Sequence, residues 1–494
     1  MDVNFQNREV SCLSPALREI QNSEQTQEIR LTEGMPDVGR ILSAWGQPIL
    51  RSKEWDTDTV NFVGGMMVWV LYAPEDGSPE RCIEGWIPFQ MRWDLPEELP
   101  EGQIRLRLLP RLVDARSISP RKLLVRAGMG VMAEAFVPVQ IPAPELEEAP
   151  KGVELLRRTY PVRLMKEAGE KSFVLDEELT MPGDLPKPEQ IIYFYVEPRV
   201  TDRKVLSEKV VFRGEANLHI LYRGEGGQLH SWDFHLPFSQ FAELSGEYGP
   251  EAQADFALCP TSMELELGDE GLLQLKCGLT AQYGITDREQ LSVVEDAYSP
   301  NQELTIQSQT LELPAILENR RETVYAQGNL PSQTGTAADI RFLPDFPRQK
   351  CRGDGVELEL PGVFQNLSYD ENGSLEAGTV RWEGSLNLSA DENTRLTAIP
   401  APASVQTSAG SVKAELPLEL TASARQQLPV VMGLTLGEER KPDPGRPCLI
   451  LRRAGNESLW QIAKAAHATV GSIREANGLQ AEPAPGQLLL IPVL

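Results

Sequence analysis

Two stretches of this sequence share a pattern that indicates a repeated β-hairpin, GGMMVWVLYAPEDG at residues 64–77 and GEANLHILYRGEGG at residues 214–227. In both, a run rich in apolar residues leads to a Leu-Tyr pair, and the tyrosine follows the first glycine by eight residues. An Asp-Gly or Gly-Gly turn then supplies the positive φ that a tight hairpin requires. Since Gly64 and Gly214 lie 150 residues apart, the pattern predicts tandem domains of related fold.

A returning strand is predicted after each of these turns. The two candidates, residues 81–89 and 229–238, end in Ile-Pro-Phe and Leu-Pro-Phe. Because proline cannot donate to a strand ladder, we expect both strands to end at these prolines. A weaker third copy, LPGVFQNLSYDENG at residues 360–373, starts near Pro361 and lacks the Pro-Phe ending. The pairs that precede the three hairpins are Met35-Pro36, Met181-Pro182 and Leu330-Pro331.

Each block contains a second region with a period of two residues, at 119–136, 262–285 and 411–424. Turn residues recur about every ten residues, which predicts roughly eight strands per block and a β-sandwich. Proline-rich stretches at 138–150 and 441–447 are candidate boundaries. We therefore predict a mostly β protein with β-sandwich-like domains at 1–150, 151–305 and 306–440 and a different module at 447–494.

The periodicity changes near the carboxyl terminus, where helical spacing replaces alternation. The apolar residues that share one helix face are Leu459, Ile462, Ala463 and Ala466. Ser458 is well placed as the N-cap of this helix. A second short helix is predicted from Thr469 to the Asn477-Gly478 pair, where glycine can adopt the left-handed conformation. Short apolar strands precede and follow the helices, so the module is a small α+β unit of order βααβ.

The net charge limits which partners the sequence predicts, and the search for targeting signals limits the cellular compartment. Aspartate and glutamate outnumber lysine and arginine by 72 to 47, which gives a formal net charge of −25. This field repels phosphate backbones and anionic headgroups, so nucleic acid is excluded as a partner. The first residues, MDVNFQNREV, carry no secretion signal, and the longest apolar run, 62–72, is too short for a transmembrane segment. We expect a cytosolic protein.

No constellation of residues in the sequence predicts catalysis, a metal or a cofactor. Cysteines stand apart without a CxxC pair, which favours reduced core residues, at Cys12, Cys82, Cys259, Cys277, Cys351 and Cys448. His219, His230 and His235 share one hairpin, but His230 and His235 should face opposite sides of a strand, without carboxylates at ligand spacing. Phosphate loops, nucleophile elbows and HExxH are absent from the sequence. We predict that the protein is not an enzyme.

The repeated blocks resemble the SPOCS domain, a sporulation-associated β-domain that occurs in tandem in spore proteins. The second block carries the resemblance best, in PEQIIYFYVEPRVTDRKVLSEKVVFRGEANLHILY (188–222) and HSWDFHLPFSQF (230–241). The first block follows it in EIRLTEGMPDVGRIL (28–42) and WIPFQM (86–91). The resemblance implies three SPOCS-like β-domains, of which the third is degenerate.

The carboxyl-terminal module is similar to a LysM domain in GNESLWQIAK (455–464), EANGL (475–479) and PGQLLLIP (485–492). LysM domains bind N-acetylglucosamine chains in a groove between two loops, which the resemblance places at residues 455–459 and 477–486 of this chain. The resemblance implies that the residues binding a glycan or a protein partner are Gly455, Asn456, Glu457, Ser458, Leu459, Trp460, Asn477, Gly478, Leu479, Pro485 and Gly486. For Trp460, burial in the core of the module and contact with a ligand are both open interpretations.

Tandem SPOCS domains followed by a LysM domain are the arrangement of spore-coat morphogenetic proteins. This resemblance implies a non-enzymatic scaffold or adaptor in the mother-cell cytosol, at the forespore surface. Its LysM domain would bind a SpoIVA-type ATPase of the coat's basement layer. The alternative is a peptidoglycan-binding protein of the spore cortex or cell wall. Self-association through the edges of the β-domains is a third possibility.

Overall fold

The fold is described for residues 2–493 of a computed structural model, except residues 4, 7, 96–98, 147, 330–336, 353–354, 390–392, 409–410 and 441–446. Leu330-Pro331 and nearly all of the predicted boundary at 441–447 lie outside the described residues. The side chain of Cys351 lies outside them as well, so its predicted burial stays a prediction.

The first block forms two three-stranded antiparallel sheets, and the motif at 64–77 lies at the centre of one of them. The short β1 (Asp2–Val3) comes first and pairs with the last strand of the third block. The strands of the first block are β2 (Glu9–Arg30), β3 (Val38–Asp56), β4 (Thr59–Pro74), β5 (Arg81–Asp94), β6 (Gln103–Ser119) and β7 (Lys122–Pro142). β4 pairs with β3 and β5, while β7 pairs with β2 and β6. β4 is apolar almost throughout because nearly all of its side chains are buried on both faces.

The second block repeats this arrangement with fewer breaks. Its elements are β8 (Glu154–Leu179), β9 (Pro188–Gly224), β10 (Leu229–Tyr248), β11 (Gln253–Leu267), a 3₁₀ turn (Asp269–Gly271) and β12 (Leu273–Tyr298). β9 folds back on itself near Ser207, which has a φ of 35°. The hydroxyl of Thr201 donates to the carbonyl of Arg213 across this bend at 3.4 Å. β9 therefore corresponds to both β3 and β4.

The third block has the same plan with two of its strands divided. Its strands are β13 (Gln302–Asn329), β14 (Ala337–Pro344), β15 (Arg348–Arg352), β16 (Gly355–Tyr369), β17 (Leu375–Ser389), β18 (Thr394–Pro400), β19 (Ser404–Ser408) and β20 (Ser411–Glu439). In every block the first strand pairs with the last, as β2–β7, β8–β12 and β13–β20. The strands between them supply the rest of that sheet and the whole of the second sheet.

This recurring topology confirms the predicted tandem of β-sandwich-like units, but each block has about six principal strands instead of eight. The strands are longer than predicted: β20 has 29 residues, and β9, which folds back on itself, has 37. Many turn-type residues lie at β-bulges, where the register shifts and the strand continues. The limits at 150, 305 and 440 stay predictions of independently folding domains.

The prediction that the returning strands end at proline is wrong. Pro88 pairs with Gly65 and Pro237 with Glu215, and both ladders continue beyond them. Within the part of the chain that the structure describes, β5 pairs only with β4, and β10 only with β9, so both are edge strands. Proline is tolerated there because the missing N–H can point away from the sheet.

The three blocks pack against one another, and each contacts the other two. Trp45 of the first block stacks on Tyr193 of the second, with ring centroids 4.3 Å apart. Gln365 of the third block donates to the carbonyl of Ala44 at 2.7 Å. One apolar core takes two residues from the first strand of every block, namely Val10 and Cys12, Val162 and Leu164, and Leu311 and Leu313.

The described cysteines are free, and most of them are buried as predicted. Cys12, Cys259 and Cys277 lie in the interior, and Cys82 is partly buried. Burial raises the pKa of Cys259 to about 11, which keeps its thiol protonated. Cys448 is exposed, so the prediction of a core position is wrong there, because the residue lies at a bend just before the first strand of the terminal module.

The carboxyl-terminal residues form the predicted βααβ module. Its elements are β21 (Leu449–Arg453), α1 (Leu459–Ala466), α2 (Val470–Asn477) and β22 (Leu488–Pro492). β21 and β22 pair antiparallel, and both helices pack on one face of this two-stranded sheet. The sequence prediction of this module is confirmed.

Candidate functional site

The first helix of the terminal module begins with a capping box. Ser458 accepts a hydrogen bond from the backbone N–H of Gln461, and the side chain of Gln461 accepts one from the N–H of Ser458. This reciprocal pair satisfies two backbone donors that a helix start otherwise leaves unpaired. Leu459, Ile462 and Ala463 are buried on the inner face of α1. Ser458 therefore fixes where the first predicted loop ends.

Two of the predicted site residues hold the second helix against the sheet. The side-chain amide of Asn477 donates to the carbonyl of Leu490 at 2.6 Å, and its oxygen accepts from the N–H of Leu490 at 2.7 Å. Gly478 ends α2 with a φ of 59°, a conformation that glycine adopts without strain. The side chain of Asn477 is thus engaged within the module, and Gly478 serves the helix end.

The two predicted loops lie side by side. The backbone N–H of Gly486 donates to the carbonyl of Ala454 at 2.7 Å, and the N–H of Leu459 donates to the carboxylate of Glu482 at 2.6 Å. Glu482 was not predicted as a site residue, although its charge at the start of α1 suits the helix dipole. Because backbone bonds join the loops, the rim between them is a defined feature of the module.

The predicted residues of this rim differ in how far they are exposed to solvent. Leu459 is fully buried and Leu479 is partly buried, so both contribute mainly to packing. Glu457 is exposed but is bonded by the guanidinium of Arg452 at 2.8 Å. The other exposed residues of the predicted set are Gly455, Asn456, Ser458, Gly478, Pro485 and Gly486.

Family models match two parts of the chain. The model described as SipL, SPOCS domain matches residues 187–265, which correspond to β9, β10 and β11. The model of the LysM domain matches residues 455–492. The chain carries a SipL-type SPOCS domain and a LysM domain. No curated protein and no solved structure matches it.

These two domain families are non-catalytic, and together they fit a sporulation protein with a peptidoglycan-binding type of LysM domain. The described residues contain no group of three or more histidine, cysteine or acidic side chains that could hold a metal ion. In the described part of the chain, neither helix has the length and apolar character needed to cross a membrane.

The LysM domain docks on the second block through Trp460, an arrangement that the sequence did not reveal. The indole N–H of Trp460 donates to Asp296 at 2.8 Å, and the ammonium group of Lys464 lies 2.7 Å from both oxygens of that carboxylate. Tyr298 packs edge-on against the Trp460 ring and donates to the carbonyl of Ala468 at 2.8 Å. Trp460 is therefore neither fully buried in the LysM core nor free to contact a ligand.

The outer face of the LysM sheet is apolar and exposed. Leu449 and Leu451 project from β21 on the side opposite the helices, and Leu488 and Leu490 project from β22 beside them. Between 38% and 61% of the surface of these four leucines is exposed. Such a contiguous apolar face is typical of a surface that binds another polypeptide.

Proposed function

We propose that this protein is a non-enzymatic adaptor of spore-coat assembly that binds a SpoIVA-type ATPase at the forespore surface through its LysM domain. The observation that carries the proposal is the exposed leucine face of β21 and β22. Apolar side chains on a rigid sheet can be buried against a protein partner, whereas a glycan offers mainly hydroxyl groups.

The position of Trp460 supports a protein partner. An aromatic ring that stacks on sugar must present a free face, but Trp460 packs against Tyr298 and is bonded to Asp296. The same contacts hold the LysM domain on the second block, so the leucine face points away from the rest of the chain and is accessible. The SPOCS blocks then serve as the scaffold that presents it.

The test is capture of purified SpoIVA-type ATPase by the full-length chain and by a variant with Leu451→Ser and Leu488→Ser. We expect the variant to bind at least about tenfold more weakly, because it removes two apolar contacts from the centre of the interface. The leucines are exposed, so the exchange should leave folding intact.

A matched control is Leu317→Ser, which changes an equally exposed leucine on β13. Its binding should equal that of the unmodified chain. If the leucine-face variant binds the ATPase as tightly as the control, or if the unmodified chain does not bind it, the proposal is wrong.

Peptidoglycan binding is the second candidate function, and the exposed rim at Asn456 and Pro485 favours it. The chain would then cosediment saturably with purified peptidoglycan of the cortex or cell wall. Asn456→Ala should weaken this binding, because the amide can donate to and accept from sugar hydroxyls. The leucine-face variant should bind peptidoglycan normally, and this difference separates the two functions.

A further inference from the structure

A cavity lies where the three blocks meet, and equivalent parts of each block line it. Its volume is about 350 Å³, and a second space of about 970 Å³ adjoins it through shared lining residues that include Arg107, Arg203 and Arg321. The strand before the last one contributes Pro110, Pro260 and Pro400 to the wall, one from each block. These prolines pair with Met129, Leu279 and Leu418 at matching positions of the three last strands.

The walls of the two spaces are basic, although the protein is strongly acidic. Nine of the described lining side chains are arginine or lysine, whereas four are aspartate or glutamate. In the whole chain acidic side chains outnumber basic ones by 72 to 47. Cationic side chains are therefore concentrated here against the general trend, and the local field attracts anions.

The buried part of this wall carries more positive than negative groups. Glu134 accepts hydrogen bonds from Arg18 at 2.9 Å, from Arg105 at 2.8 Å and from Arg107 at 2.7 Å, and Asp255 is bonded to Arg105. Burial alone would raise the pKa of Glu134, but the three guanidinium groups lower it well below its usual range. Three cations thus share two carboxylates.

Two residues that line the smaller cavity, Gln47 and Arg341, each carry a buried polar atom without a partner among the described residues, Oε1 and Nε respectively. The guanidinium of Arg341 lies over the ring of Tyr195, donates to the carbonyl of Gly46 at 3.1 Å and is 3.7 Å from Glu197. Buried polar atoms are usually satisfied, so these two side chains have hydrogen-bonding capacity that the described chain does not use.

We propose that this cavity binds a small organic anion. Arginine guanidinium groups hold its carboxylate or phosphate group, because their planar forks match oxyanions. The prolines, together with Phe256 and Phe342, contact its apolar body. The volume of the smaller cavity falls in the range of small-molecule sites. Since all three blocks contribute to the wall, the ligand would fasten them to one another.

The test is isothermal titration calorimetry of the full-length chain with phenyl phosphate, benzoate and inorganic phosphate, and with benzamide as a neutral probe. We expect saturable binding of at least one aromatic anion, weaker binding of inorganic phosphate and no binding of benzamide. The two aromatic anions then distinguish a phosphate from a carboxylate ligand. Bound anion should also raise the melting temperature, because it binds only the folded chain.

Substitutions in the wall test whether the anion binds in the cavity. Arg203 lines both spaces and is exposed, so Arg203→Gln should weaken anion binding about tenfold without unfolding the chain. Gln47→Glu replaces an amide in the wall by a carboxylate of almost the same size and should weaken anion binding further. Arg116→Gln is the matched control, since it removes one exposed arginine that lines neither space.

Two results would overturn the inference. One is that no anion binds the unmodified chain. The other is that anions bind, but Arg203→Gln and Gln47→Glu have the same affinity as Arg116→Gln, since the ions would then associate with the surface in general.

Discussion

At the scale of single residues, His219 links the second and third blocks, a role that the neighbouring sequence did not predict. Its Nδ1 lies 2.7 Å from Asp233 on the same hairpin, and its Nε2 lies 2.9 Å from Asp339 of the third block. From the sequence, these histidines were considered only as metal ligands, and the position of His219 between two carboxylates was not predicted. Burial alone would lower the pKa of His219, but the two carboxylates raise it to about 9. The imidazolium therefore joins two blocks near neutral pH.

This pKa predicts a pH dependence of stability. A histidine whose pKa is raised from 6.5 to about 9 on folding stabilises the native state fully below pH 6.5, and this contribution is lost as the pH rises through 9. The contribution amounts to about 3 kcal/mol. We expect the free energy of unfolding of His219→Gln to fall less between pH 6.5 and 9 than that of the unmodified chain.

Urea unfolding at several pH values measures this difference. His235→Gln is the control, because His235 is exposed on the same hairpin and its Nδ1 lies 2.7 Å from the side-chain oxygen of Asn217, which is uncharged. Parallel stability curves for the unmodified chain and His219→Gln would show that His219 is not the titrating group.

At the scale of elements, the hairpins of the first and second blocks carry a glycine at the same position. Gly64 lies opposite Phe89 and Gly214 opposite Phe238. A Cβ at Gly64 would come within 2.3 Å of the carbonyl of Ile49, and one at Gly214 within 2.2 Å of the carbonyl of Arg199. The glycines recur because the backbone of the preceding strand approaches too closely for any side chain.

Gly214→Ala should therefore destabilise the chain by about 1 to 3 kcal/mol, because the methyl group meets backbone atoms that cannot rotate away. Thermal unfolding followed by circular dichroism measures the effect. Gly183→Ala is the matched control, since a Cβ there has no neighbour within 4 Å, and it should change stability by less than about 0.5 kcal/mol. Equal melting temperatures for the two variants would contradict the assigned contact.

At the scale of the whole molecule, the LysM domain is not a free appendage. Asp296 at the end of β12 binds both Trp460 and Lys464, and Tyr298 extends the LysM core. The orientation of the domain decides which of its surfaces a partner can reach. The leucine face is left accessible, while the face of α1 that carries Trp460 is covered.

Asp296→Ala should loosen this docking by about 2 to 3 kcal/mol, because it removes two hydrogen bonds to a charged group. The amides of α1 should then exchange with deuterium at least about tenfold faster. Asp287→Ala is the matched control on the same strand, since both aspartates also accept a bond from the next backbone N–H. Unchanged exchange in Asp296→Ala would show that packing alone holds the domain.

The sequence by itself determined the features that depend on near neighbours. The eight-residue spacing from Gly64 to Tyr72 and from Gly214 to Tyr222 predicted two hairpins. In the structure, each of these runs pairs antiparallel with the strand that follows it. Ser458 predicted the start of α1, because a helix cap is formed by residues three positions apart. The lengths of the strands were predicted less well, since the same types of residue occur at a bulge, where a strand continues, and at a strand end.

Only the tertiary structure decided how the blocks and the LysM domain meet. Trp460 bonds to Asp296 across 164 positions of the chain, and His219 reaches Asp339 across 120. Pro88 lies within a ladder that it was predicted to end, because no described strand pairs with the outer side of β5. Such partners depend on which sheets pack together and in what order, and local spacing carries no information about either.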